Sequence, residues 1–431
     1  MPSTAPSARP GWAARSRLPA FPWDRLAPYG EQARAHPGGI VDLSIGTPVD
    51  STPRLVADAL SAASDNPGYP LTIGTPALRE ALVAWVSGLG TPVTAAQVVP
   101  SIGSKETVSL LPSLLGLTPG SQVLIPALAY PTYDVGARLA GCVPVPTDDP
   151  TSCDPADVSL VWVNSPSNPT GEVLSAERLR AVVAWGREHG VLIASDECYL
   201  ELGWDVEPVS VLHPSVSAGS TQGLLAVHSL SKRSNLAGYR AGFAAGDADA
   251  IAALVEARKH IGLLEPGPVQ AAMVAALGDR AHVDEQRERY AARRALLLSA
   301  VRGAGFEVSH SQAGLYLWCT RGEACWDTVA ALAPSGRFAG AAQGNGGAVA
   351  VGHFAHLHSF GAHHHGALCD RHVAAEHHHL PLQIDGTGAV GLHHHGLAAV
   401  SLLGVGRCDG QAQRSHSRGQ AAGKDQERGE E

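Results

Sequence analysis

The sequence predicts an α/β fold: a mostly parallel central sheet with helices on both faces, plus a smaller α/β domain. Three observations carry this expectation. Continuous apolar runs at Leu160–Val163, Val191–Ala194 and Leu224–Val227 read as strands buried on both faces, and segments of helical spacing separate them. Asn168, Asp196 and Lys232 each fall just past the carboxyl end of such a run, where open α/β sheets gather their ligand groups. At 431 residues the chain is long enough for two domains and a large core.

The elements follow in chain order. Residues 1–20 read as a disordered arm, and 21–50 as a segment that packs on the smaller domain. Within it, Phe21-Pro22-Trp23 opens a short helix, and Val41 to Gly46 is a strand ending in the glycine turn Gly46-Thr47-Pro48. Residues 51–250 form the larger domain. There Pro53 to Ala62 is a helix, and Asn66 to Pro70 is a turn-rich loop carrying the aromatic Tyr69. Thr75-Pro76 caps a helix whose Leu78, Leu82, Trp85, Val86 and Leu89 follow at helical spacing. Val98 to Ser101 is a strand that runs through Gly103 into a helix beginning Ser104-Lys105-Glu106, whose free amides and dipole make an anion site. Gln122 to Pro126 is a strand, Tyr130 to Ala140 a capped helix, and Val143-Pro144-Val145 an edge strand where proline is tolerated. Ser175 caps the helix before Val191. Residues 251–332 form the smaller domain, with helices after Asp247, at Pro268 and over 282–301, and strands at Phe306–Val308 and Leu315–Trp318.

The chain is organised around Ser229 to Arg240. A lysine just past a strand end serves as a nucleophilic amine if its ammonium form is disfavoured. The nearby serines and Arg240 are suited to bind a phosphate beside Lys232. An amine beside a phosphate clamp points to an aldehyde cofactor bearing a phosphate, pyridoxal 5'-phosphate (PLP), held as a Schiff base. Each residue alone admits a plainer account. The lysine stretch is also a solvated turn, Gly103-Ser104 also a helix cap, Asp196 also a cap and Tyr69 also a packing residue. The convergence of three strand ends favours a shared pocket.

GSKE (103–106), YPTY (130–133), NSPSNPTG (164–171), SDECY (195–199) and SLSKRSNLAGYRAGF (229–243) together resemble the fold type I PLP-dependent aminotransferases of class I/II. KHIGLLEPGPVQAAM (259–273) and QAGLYLWCTRGEACW (312–326) are closest to actinobacterial N-succinyldiaminopimelate aminotransferases. The resemblance implies Lys232 as Schiff-base lysine and proton shuttle, and Asp196 as partner of the pyridine nitrogen. It implies Tyr199 and Asn168 as donors to the phenolic oxygen, and Tyr130 as the aromatic stacked on the ring. Ser104, the amide of Lys105, Ser229 and Arg240 become phosphate ligands. Tyr69 reaches the neighbouring subunit's phosphate in a homodimer, and Gly46 is the backbone contact near the substrate carboxylate. The implied reaction is transamination between N-succinyl-L,L-diaminopimelate and 2-oxoglutarate in lysine biosynthesis. The alternatives are another amino-acid aminotransferase, a β-lyase, or an inactive product with a defective C-terminal domain.

Composition sets further limits. A formal charge of -9 and the lack of a basic patch argue against nucleic acid. Seven scattered cysteines without a CxxC pair read as thiols in a reducing compartment, and no signal peptide or membrane span is expected, so the chain reads as cytoplasmic. From residue 333 the pattern breaks. Gly340 to Gly352 is mostly Gly and Ala, fourteen of the 21 histidines lie beyond residue 350, and triplets stand at 363–365, 377–379 and 393–395. Residues 333–431 therefore read as aberrant, largely disordered and frameshifted. Only short pieces such as Leu397 to Val405 have strand character, and Arg337, Arg371 and Arg407 have no recognisable context as carboxylate clamp. The rival reading, a metal-binding tail, lacks a fixed geometry and second shell, so no metal is expected.

Overall fold

The computed structural model describes residues 18–341 and 348–352. The first helix is α1 (Pro22–Arg34), followed by β1 (Val41–Leu43), α2 (Arg54–Ala62) and α3 (Pro76–Ser87). Next come β2 (Val98–Ile102), α4 (Ser104–Leu114), β3 (Gln122–Ile125), α5 (Thr132–Leu139), β4 (Val143–Pro146), β5 (Val158–Asn164), α6 (Ala176–His189) and β6 (Leu192–Asp196). The lysine region is α7 (Pro214–Ser217), β7 (Leu224–Ser229), the single turn α8 (Leu230–Arg233) and β8 (Ala241–Gly246). The chain continues through α9 (Ala248–Ile261), α10 (Gly267–Gly278), α11 (Ala281–Gly303), β9 (Glu307–Ser309), β10 (Tyr316–Thr320), α12 (Cys325–Leu332), β11 (Arg337–Ala341) and β12 (Ala348–Gly352).

Seven strands form the larger sheet in the order β2-β8-β7-β6-β5-β3-β4. All run parallel except β8, which is antiparallel to both its neighbours. This is the α/β architecture that the sequence predicts. Successive residues of a strand face opposite sides, so each buried run feeds two cores. Val161, Val163, Ile193, Leu224 and Ala226 pack with α2, α3, α6 and α10 on one face. Leu160, Trp162, Ala194, Leu225 and Val227 pack with α4, α5 and α9 on the other. Caps fix where the helices begin. Thr75 accepts from the Leu78 amide, Ser175 from that of Arg178, and Asp247 from those of Asp249 and Ala250.

The smaller sheet has the order β1-β11-β12-β10-β9, with β1 parallel to β11 and the rest antiparallel. Its core takes Leu26 and Ala33 from α1, Leu297 from α11 and Val329 from α12.

Two boundaries differ from the sequence reading. The sequence pattern opens the smaller domain at 251, yet Ile251 and Leu254 of α9 and Ala272, Met273 and Ala276 of α10 are buried against the larger sheet. Helix periodicity tells which residues are buried but not which sheet buries them. The same pattern gives no strands just after 333, yet β11 and β12 lie inside the smaller sheet. Alternation is present there in a disguised form. Val349 and Val351 enter the core while Ala348 and Ala350 face the other way. Gly340 stands where the Ser44 carbonyl would lie 2.8 Å from a Cβ. Alanine and glycine on the second face hide the period. Leu397–Val405, Arg371, Arg407 and the histidine triplets lie outside the described residues.

Candidate active site

Three neighbouring parallel strands end at one place. β5 ends in Asn164, β6 in Asp196, and β7 in Ser229, followed by the turn that carries Lys232. The Asn164 amide donates to the carbonyls of Asp196 and Pro166, each at 3.1 Å, and its Oδ1 accepts from the Asn168 amide at 2.7 Å. One side chain thus ties two strand ends together and holds the loop that presents Asn168.

Asp196 is buried and makes no salt bridge among the described residues. Its Oδ2 accepts from the Tyr133 hydroxyl at 2.8 Å and its Oδ1 from the Cys198 amide at 3.2 Å. Burial pushes its carboxyl above the usual range, although both donors oppose the shift. The Cys198 thiol is pushed well up, first by burial and then by Asp196, and it also feels Ser104 and Lys232. Tyr133 stacks on Trp162, with centroids 5.0 Å apart, and meets Tyr130 edge-on at 5.9 Å. Burial holds the Tyr130 phenol at about 12 and that of Tyr199 well above its usual value.

The Lys232 Nζ donates to the carbonyl of Gly46. Burial, helped by the charge of Arg240, brings its amine down to about 8, against an opposing pull from Cys198. Gly46 is fixed in turn, because its amide donates to the Tyr316 hydroxyl at 2.8 Å. From behind, the Tyr290 hydroxyl donates to the Lys232 carbonyl at 3.3 Å and to Asn235 Oδ1 at 3.0 Å. Asn235 donates to Gln286 at 2.9 Å, and Gln286 donates to Asp50, which Arg293 grips through two bonds of 2.6 Å.

Beside the lysine lies a cradle shaped for an anion. Gly103 has φ +73°, and a Cβ there would stand 2.3 Å from Arg240 Nη2. A Cβ on Gly242 would stand 2.8 Å from the Ser104 amide, the first of α4. Arg240 itself has φ 61°, and its Nη1 donates to the Ala237 carbonyl at 2.8 Å. Backbone without side chains, a guanidinium and a helix N-terminus converge as a phosphate requires. The Ser229 Oγ accepts from the Ser231 amide at 3.1 Å. The cradle, the amine of lowered basicity and the buried unpaired carboxylate fit PLP: an anchor for its phosphate, an amine for its aldehyde and an anion for its ring nitrogen.

The expected residues of one copy thus lie around these strand ends, and Tyr69, expected at the phosphate of a second copy, is 97% exposed. The Lys105 ammonium turns toward the rings of Tyr130 and Phe21, 5.8 and 5.9 Å from their centroids. Sequence reasoning passes over Asn164, Tyr290, Tyr316 and Asn235. Asn164, Asn235 and Tyr316 stand inside quoted motifs that point to other residues, while Tyr290 has no local signal.

A family model described as aminotransferase class I and II matches residues 39–333. The match stops where the composition breaks. The chain is 57% identical over 320 residues to a 4-dedimethylamino-4-oxo-anhydrotetracycline transaminase of Streptomyces rimosus, covering 74% of this chain and 89% of that one. It is 59% identical over 322 residues to a Mycobacterium tuberculosis protein named "probable aminotransferase", covering 74% and 77%. Among solved structures, one titled "probable N-succinyldiaminopimelate aminotransferase", from Thermus thermophilus, superposes with a TM-score of 0.71 at 26% identity, covering 78% of this chain and 95% of that one.

Proposed function

The chain belongs to the class I and II aminotransferases, enzymes of PLP fold type I, and from that premise we propose how its residues divide the work. PLP, when bound, supplies an electron sink for breaking a bond at the substrate α-carbon. Lys232 Nζ takes the α-proton and returns it, a role suited to an amine near 8 rather than to an ordinary lysine. Asp196 holds the proton of the ring nitrogen. Tyr199, kept protonated by burial, and Asn168 would donate to the phenolic oxygen, and Tyr130 would pack against the ring. Ser104, the Lys105 amide, Ser229 and Arg240 bind the phosphate. Gly46 lies beside the substrate carboxylate. Tyr69 extends to the phosphate site of a second copy in a homodimer.

The observation that carries this reading is the pairing of Asp196, buried without a salt bridge among the described residues, with Lys232 at the ends of adjacent parallel strands. The test is the absorbance band of the protein–cofactor linkage. Lys232→Ala is expected to abolish that band and amino transfer together, and an unchanged band overturns the assignment.

For the substrate, N-succinyl-L,L-diaminopimelate with 2-oxoglutarate has the support of the Thermus likeness at 26% identity. The alternative of another class I/II aminotransferase is better supported, since the relatives of 57% and 59% identity are not named for diaminopimelate. The Streptomyces relative, at 57% identity, is named for a 4-oxo-anhydrotetracycline. A cavity of about 100 Å³ adjoins Tyr130 and Asn168 and is lined also by Trp23, Leu26, Tyr316 and Ala350, with no charged side chain among the described residues that line it. An unpaired carboxylate in such a space costs several kcal/mol. Neutral ring-bearing amino acids are expected to react with higher kcat/KM than N-succinyl-L,L-diaminopimelate, and the reverse order restores the diaminopimelate reading.

A further inference from the structure

A second titratable pair lies beneath this site, and none of the roles above uses it. Glu197 follows Asp196 at the end of β6, and His228 precedes Ser229 in β7. Neighbours on a strand face opposite sides, so the pair points away from the cofactor, toward α3. Their side chains are 1% and 3% exposed, and Glu197 Oε2 lies 3.7 Å from His228 Nε2. Neither atom has another hydrogen-bond partner.

The surroundings are set. Glu197 Oε1 accepts from the Val211 amide at 2.8 Å, and the Glu197 amide donates to the Val227 carbonyl at 2.9 Å. The imidazole is boxed by Trp85 and Phe243, with centroids 4.8 and 5.0 Å away. The charged groups that face the pair are Asp196, next in the chain, and Arg233 from α8, whose guanidinium is paired with Glu201. The hydroxyls of Ser195 and Ser210 flank the Glu197 carboxyl. Two bare lone pairs facing each other in a dry interior are repulsive. One proton between them removes that repulsion, and an approach of about 0.5 Å from the present 3.7 Å turns the contact into a hydrogen bond.

We propose that Glu197 and His228 share a single proton and form a positioning pair that locks Asp196 and Ser229 in place against the cofactor. The inference rests on the aminotransferase reading for the roles of those two neighbours. Burial raises the Glu197 carboxyl to about 7 and lowers the His228 imidazole to about 3, so the proton resides on Glu197, whose Oε2 faces Nε2 at 3.7 Å. Above that point the proton leaves. A buried anion then faces a lone pair, with Asp196 and Ser229 adjoining the two residues in the chain, and hold on the cofactor weakens.

The test uses 4-deoxypyridoxine 5'-phosphate, which has no aldehyde and makes no bond to Lys232. Its dissociation constant is measured by fluorescence from about pH 6 to about pH 9 for the whole protein and for Glu197→Gln and Glu197→Ala. The ligand's own phosphate titrates near pH 6 in every case and cancels in the ratio of variant to parent. The glutamine amide can donate to Nε2 and cannot ionise. Glu197→Gln is expected to bind within about threefold of the parent at low pH and to lack the parent's roughly tenfold weakening above pH 7. Glu197→Ala is expected to bind about tenfold more weakly throughout, because it leaves the imidazole and the Val211 amide without a partner. A glutamine variant that follows the parent's curve, or an alanine variant equal to it, overturns the proposal. Failure of every protein to bind the ligand would instead bring down the cofactor assignment beneath it.

Discussion

Replacing Gly103 by alanine probes the phosphate cradle with the smallest side chain available. Two separate costs follow from the geometry. The first is conformational: φ is +73°, and an L-residue there loses about 1–2 kcal/mol relative to glycine. The second is steric, since the new Cβ would stand 2.3 Å from Arg240 Nη2 and 2.8 Å from Cζ. The guanidinium must swing away and would give up the contact with the cofactor phosphate proposed for it. A hydrogen bond to a charged group contributes about 1.5–3 kcal/mol, so the dissociation constant for PLP should rise roughly 10- to 150-fold. Gly120→Ala separates the two costs. Its φ is +92°, and nothing lies within 4 Å of the added methyl. Both variants should lose similar stability in denaturant titration, while only Gly103→Ala loses cofactor affinity. If Gly103→Ala bound PLP as tightly as the parent, Arg240 would not be a phosphate ligand and the cradle would be misread.

Other expectations follow from single contacts. Tyr133→Phe removes the hydroxyl that donates to Asp196 at 2.8 Å and should weaken PLP binding about tenfold in an equilibrium titration, with the fold intact by circular dichroism. Asp50→Ala leaves Arg293 half-buried without its two 2.6 Å partners and should cost about 3–5 kcal/mol in urea unfolding. Burial alone would raise the Asp50 carboxyl, but the hydrogen bonds from Arg293 and Gln286 outweigh it and hold the carboxyl low, so this contribution should persist until the pH falls below the usual aspartate range. Glu265 is buried, and both its oxygens lack a hydrogen-bond partner. Burial raises its carboxyl from 4.5 to about 8. The folded chain therefore holds a proton that the unfolded chain releases across that window, and stability falls as pH rises through it. Glu265→Gln cannot ionise and should be more stable than the parent at pH 9 by an amount on the order of 2–5 kcal/mol, with no gain at pH 4; equal unfolding midpoints at pH 9 would contradict this.

Much of the site is legible in the sequence because parallel sheets write their chemistry at fixed places. An apolar run that stops at Asp196 or Ser229 names both a strand and its carboxyl end, and the ligand groups must then converge. The supporting residues are not legible, for an equally physical reason. Tyr290 reaches the backbone of Lys232 across 58 positions, and Tyr316 reaches Gly46 across 270. No periodicity or spacing encodes such a pair. His228 is hidden differently, inside a run of buried residues where an imidazole reads as one more strand position.

The segment after residue 333 carries the lesson further. The family match stops there, and the glycine- and alanine-rich composition obscures the strand period, yet β11 and β12 complete the smaller sheet. Packing explains how both statements hold. A strand needs apolar volume on the face it buries, which Phe338, Val349 and Val351 supply to the core beneath α1 and α12. On the opposite face it needs only to avoid a clash, and Gly340, which leaves room for the Ser44 carbonyl, meets that demand. The backbone ladder is indifferent to side-chain identity, so β10 can pair with Ala348–Gly352 over five successive positions. The small residues that make this stretch unreadable as strand also form the uncharged wall, Gly340, Ala341 and Ala350, of the cavity beside Tyr130. The same composition that breaks the pattern therefore shapes the cavity on which the proposed substrate preference rests.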